Sequence, residues 1–144
     1  MRIAFILLLM YACQTQPINQ YQKSDTKSKL RHGKWIEDYD IEGGKLTAKG
    51  KYDNGEKIGV WKTYFGEKLY QKEKIKNGIS QTKFYYPNGK IMERGQSKTI
   101  ISENGRIWHY FGDWKYYDAN GKLKYIKKYA DGNKVDSINI SQKR

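Results

Sequence analysis

From about residue 30 onward the chain writes nearly the same phrase four times: an aromatic pair, a Gly-centred turn, then Leu or Ile opening a lysine-rich strand. The first two copies carry Trp35 and Tyr39 before Gly44-Lys45-Leu46, and Trp61 and Tyr64 before Gly66 and Lys68-Leu69. The last two carry Tyr85-Tyr86 before Asn88-Gly89-Lys90-Ile91, and Trp114 and Tyr117 before Asn120-Gly121-Lys122-Leu123. Recurrence at a period of roughly 25–35 residues marks a repeat architecture, in which one small unit cannot bury its own apolar face and must lie against its neighbours.

The units are β-hairpins. After each turn the residues alternate with a period of two. Leu46, Ala48, Gly50 and Tyr52 oppose Lys45, Thr47, Lys49 and Lys51; Leu69, Gln71, Glu73 and Ile75 oppose Tyr70, Lys72, Lys74 and Lys76; Leu123, Tyr125, Lys127 and Tyr129 oppose Lys122, Lys124, Ile126 and Lys128. Asn54-Gly55, Asn77-Gly78, Asn88-Gly89, Asn104-Gly105, Asn120-Gly121 and Asp131-Gly132 supply the left-handed conformations that tight hairpin turns demand. Turns this close leave no room for the crossovers of parallel pairing. The expected fold is all-β: an elongated single-layer antiparallel sheet of stacked hairpins.

These phrases resemble the bacterial variant of the MORN repeat, whose core is similar to Tyr-Tyr-x-Asn-Gly-Lys-Leu, a strand, and then Gly-x-Trp-x-x-Tyr. Tyr116-Tyr117 through Leu123 and Phe84-Tyr85-Tyr86 through Ile91 carry the first half, and Asn54-Gly55 through Gly59-Val60-Trp61 and Tyr64 the second. The third copy has Thr82 where Trp is expected, and Lys98 to Trp108 reads as an inserted or degenerate hairpin. The resemblance implies hairpins laid side by side. Bacterial members are often labelled antitoxin components, which implies stoichiometric binding of a toxin.

The N-terminus reads Met1-Arg2, an apolar run from Ile3 to Ala12, and then Cys13, the single cysteine. A run this short is a secretory h-region, since a bilayer core needs ~20 residues. The junction resembles a bacterial lipobox, with Met10 and Tyr11 where that pattern prefers Leu and a small residue; an ordinary signal peptide with a fortuitous Cys, or a buried strand, is the alternative. The expected organisation is a signal peptide over 1–12, a polar tether over 13–31 and the repeat domain over 32–144. Acylation of Cys13 would place the chain in the bacterial cell envelope, anchored to a membrane; Gln14, in a place where Asp favours inner-membrane retention, leans towards the outer one.

Basic residues exceed acidic ones by 28 to 15, giving +13, or +12 once Arg2 leaves with the signal. Lys49, Lys51, Lys72, Lys74, Lys76, Lys122, Lys124 and Lys128 are the expected basic face, with Tyr70 among them, suited to an acidic protein or anionic lipid headgroups. The alternative is that they only solvate the sheet and hinder edge pairing. Trp35, Trp61, Tyr64, Trp114 and Tyr117 read as the repeat's own core, or as a stacking surface for a glycan or peptide. Trp61 and Tyr64 fall on opposite faces of a regular strand, so one of them is expected to stay exposed unless a bulge intervenes. Lys127-Lys128 and the polar tail are expected to blunt the last edge.

Asp38, Asp40 and Glu42 open like a calcium loop, but the closing Glu is replaced by Lys49, so no metal is expected. His32 and His109 lie in different repeats, and no nucleophile, phosphate-loop or zinc signature is present, so neither catalysis nor a cofactor is expected. Nucleic acid suits the charge and the aromatics, but export would separate the chain from it.

Overall fold

The computed structural model describes residues 17–23, 28–102 and 105–140. Cys13, the signal segment and the polar tail from residue 141 lie outside them. Ten strands follow in chain order: β1 (Gln20–Lys23), β2 (Lys29–Ile41), β3 (Gly44–Asp53), β4 (Glu56–Phe65), β5 (Lys68–Lys76), β6 (Ile79–Tyr85), β7 (Ile91–Ser102), β8 (Gly105–Tyr117), β9 (Leu123–Ala130) and β10 (Asn133–Asn139). They form one open sheet in sequential order, every neighbour antiparallel, with no helix among the described residues. The sheet starts earlier than the sequence suggested: β1 pairs Gln20 with His32 and Lys23 with Lys29, inside the segment expected to be a tether.

Asn54-Gly55, Asn77-Gly78 and Asp131-Gly132 each place two consecutive residues at positive φ, the conformation that reverses a right-twisted ladder in two residues. Asn88-Gly89 and Asn120-Gly121 belong instead to wider loops, closed by Tyr86 N–H to Lys90 O at 2.8 Å and Asp118 N–H to Lys122 O at 2.9 Å.

One face is aromatic. Across the strands a single row runs Trp35, Gly50, Trp61, Glu73, Thr82, Gly95, Trp114 and Lys127. At Gly50 and Gly95 the register slips, so each glycine faces a bulge, Gly59-Val60-Trp61 or Gly112-Asp113-Trp114, whose leading Gly has φ of 66°. The bulge lays the indole flat on the neighbouring glycine: a Cβ there would meet Trp61 at 2.2 Å or Trp114 at 2.3 Å. Each indole N–H then donates to the carbonyl one residue on, Trp61 to Lys51 at 3.1 Å and Trp114 to Gln96 at 2.9 Å. Both rings are buried, with Trp35, Ala48 and Tyr52, so the apolar core is a thin layer on one side of the sheet.

Candidate functional surface

The opposite face gathers the cations. Lys49 faces Lys62, Lys62 faces Lys72, Lys72 faces Lys83, Lys83 faces Arg94 and Arg94 faces Lys115, an unbroken cross-strand ladder of six cations from β3 to β8. At a strand spacing of ~4.8 Å the ladder spans roughly 24 Å. Among the described residues Lys62, Lys72, Lys83 and Lys115 have no carboxylate partner within ion-pair distance. Like charges directly opposite oppose folding, so this arrangement exists against a local cost.

Two tyrosines sit beneath the cations. The Lys49 ammonium lies 5.6 Å from the Tyr64 ring centre and the Arg94 guanidinium 5.5 Å from that of Tyr117. Both tyrosines are half-buried. Tyr64 and Trp61 thus occupy opposite faces, as their spacing requires, because the β3–β4 bulge lies before Trp61 and the slip between Thr63 and Tyr64 puts its extra residue, Tyr70, on β5. Beyond the ladder the same face exposes Ile58, Val60, Ile79, Ile100 and Ile107. The surface is basic through its middle, and along one margin exposed apolar side chains stand opposite Lys51, Lys74 and Lys76.

Of the lysines expected there, Lys49, Lys51, Lys72, Lys74 and Lys76 share this face. Lys128 does too, opposite Asp113 and 3.9 Å from Asp136. Lys122 lies in the loop before β9, its N–H donating to Asp118 Oδ1 at 2.9 Å, and Lys124 is the extra residue where the β8–β9 register slips, so neither continues the ladder. Tyr70 stands on the aromatic side, its ring 5.6 Å from that of Phe84, because a bulge at the start of β5 reverses the simple alternation. Lys62, Lys83, Arg94 and Lys115 went unrecognised in the sequence. The signal was present in part: Lys62 and Lys115 each directly follow the repeat's Trp, and Lys83 follows Thr82.

The aromatic face carries its own polar centre. Glu37 accepts from Tyr39 at 2.6 Å and Tyr52 at 2.9 Å, with Lys57 at 3.3 Å and the Arg31 guanidinium against the same carboxylate. Burial pushes the Glu37 carboxyl up, but the two hydroxyls and the Lys57 ammonium outweigh it and hold it below the usual range. The Tyr52 phenol, buried and bonded to Glu37, is pushed up to about 12. Asp38 is engaged by Lys45 at 2.9 Å and Thr47 at 2.7 Å, and among the described residues no group of His, Cys, Asp or Glu is arranged to hold a metal ion. Also among them, no helix is long and apolar enough to cross a membrane.

Fold and surface together define a single-layer hairpin-repeat sheet with an aromatic side and a cationic side. Comparison with protein-family models, with curated proteins and with solved structures gives no match. The functional reading therefore rests on the chain's own geometry.

Proposed function

We propose that this protein is a non-catalytic, lipid-anchored envelope protein whose MORN-like sheet is a binding scaffold, with its cationic face docking on anionic lipid headgroups. The observation that carries the reading is the unpaired ladder from Lys49 to Lys115, bordered by exposed isoleucines. Each cation held near an anionic surface contributes about 1 kcal/mol, and the apolar margin suits the boundary below the headgroups. An acyl group on Cys13 would supply the second of the two signals that stable anchoring takes.

Two experiments test this. Intact-mass analysis of the membrane fraction should find a form beginning at Cys13 with added acyl mass, lost in Cys13→Ala. Without the lipid, residues 17–144 should sediment with vesicles containing phosphatidylglycerol and stay in solution with pure phosphatidylcholine. Replacing Lys62, Lys72 and Lys83 together with Gln should weaken that binding at least tenfold. Unchanged binding by the triple variant would remove the ladder from the reading. Capture of an acidic protein by the same face, with no binding to anionic vesicles, would make a stoichiometric neutraliser of antitoxin or immunity type the better reading.

A further inference from the structure

The third repeat departs from the others at one patch of the aromatic face. Where Gly50 and Gly95 lie beneath indole rings, β5 carries Glu73; where the Trp stands, β6 carries Thr82; and the bulge is missing, since Glu73 faces Thr82 in an unslipped ladder. The row of rings is thereby interrupted by a strip of hydroxyls and one carboxylate. Ser80 Oγ donates to Glu73 at 3.2 Å and lies 3.2 Å from Thr82 Oγ1. Ser97, facing Ser80 from β7, is fully buried, and its Oγ has no hydrogen-bond partner. Over this strip runs a groove of about 1210 Å³, with Tyr52 and Ile75 on one side, Trp108 on the other, and Glu73, Ser80 and Ser97 lining it. Trp108 is 47% exposed although its ring packs edge-on against Tyr110 at 4.7 Å.

We propose that this groove is a saccharide-binding site. A pyranose ring has an apolar C–H face that stacks on an indole, and a rim of hydroxyls that both donate and accept. The groove offers the matching pair: the ring of Trp108 on its flank, and acceptors and hydroxyls at Glu73, Ser80 and Ser97 along its floor. A buried hydroxyl with no partner is the kind of group a polar ligand satisfies. An extended peptide suits the site less well. β5, β6 and β7 are interior strands whose backbone groups are taken by their neighbours, so no free edge is present to pair with. The site lies on the face opposite the cation ladder and stands independently of membrane docking.

Titration of the chain with cellotetraose, chitotetraose and maltotetraose, followed by two-dimensional NMR and calorimetry, tests the assignment. At least one should give saturable shifts at the Trp108 indole N–H and at the amides of Ser80 and Ser97. Trp108→Ala should weaken binding about tenfold or more while the rest of the two-dimensional spectrum stays that of the folded sheet, since the ring is half exposed. Ser97→Ala should raise the melting temperature while weakening the sugar, opposite signs that a purely structural hydroxyl would not give. Lys72→Gln, on the far face, should leave sugar binding unchanged. Absence of saturable shifts with all three sugars, affinity unchanged in Trp108→Ala, or the same shifts produced by an extended peptide and by no sugar would each overturn the proposal.

Discussion

Trp61 stabilises the sheet through contact and through its N–H. Its ring covers Gly50, meets Tyr52 edge-on at 5.1 Å and carries the Lys57 ammonium at 4.1 Å, while the indole donates to Lys51 O. Trp61→Ala should therefore cost about 3 kcal/mol or more in chemical denaturation. Gly50→Ala should also destabilise, by roughly 1–3 kcal/mol, because the added methyl would occupy the space of the ring. The two losses should be far from additive in the double variant, since the second clash vanishes once the indole is gone. Two carboxylates give opposite pH signatures. The pKa of Glu37 is lowered on folding, so its stabilisation is present above the unfolded value and is lost as pH falls through the folded one. Glu37→Gln should accordingly lower the melting temperature at pH 7 and make little difference at pH 3. The Glu93 carboxyl is pushed up by burial, against the pull of the Tyr116 hydroxyl and Lys127, so its penalty sets in as pH rises through the unfolded value. Glu93→Gln should raise the melting temperature at pH 7, and the gain should fade in acid.

Within the hairpins, the charge ladder separates stability from function. Replacing Lys62, Lys72 and Lys83 with Gln should stabilise the sheet at low ionic strength, by up to about 1 kcal/mol per relieved pair and less as salt screens it. The same variant should lose anionic-vesicle binding. A face that merely keeps the sheet soluble would show the first effect without the second. Much of this face was legible in advance, because Lys49 with Lys51, and Lys72 with Lys74 and Lys76, alternate cleanly along single strands. What the alternation could not give is register. Lys62 comes opposite Lys49, and Lys115 opposite Arg94, only once the slips at Gly50 and Gly95 each insert two residues, which preserves the facing of everything beyond. A slip of one residue has the opposite effect: it placed Tyr70 on the far side from Lys72 and took Lys124 out of the ladder. The polar strip was legible only as Thr82 in a Trp position; Glu73 and Ser97, which line the groove beside it, stand on the flanking strands, and no single repeat reveals them together. At the C-terminal margin the edge is β10 and not the Lys127-Lys128 strand, and it is blunted by a slip between Lys134 and Asp136 that leaves Val135 exposed.

Over the whole molecule the core is two aromatic clusters and not one. Tyr21, Trp35, Tyr52 and Trp61 form a chain of edge-to-face contacts across β1 to β4, and Trp108, Tyr110, Trp114 and Tyr129 form another across β8 and β9. Between them β5, β6 and β7 contribute the Tyr70–Phe84 ring pair and the polar strip of Glu73, Ser80, Thr82 and Ser97. In a sheet whose strands pair only with their chain neighbours, stability is close to a sum of local terms, and opening of one part need not open the next. Native-state hydrogen exchange should thus resolve two protected units. Trp61→Ala should speed exchange through β2, β3 and β4 by the full loss in stability while leaving the amides of β8 and β9 largely protected. Trp114→Ala should do the reverse. Equal acceleration of every protected amide in either variant would show that the polar strip couples the clusters, and the sheet would then have to be treated as one cooperative body despite its open, single-layer form.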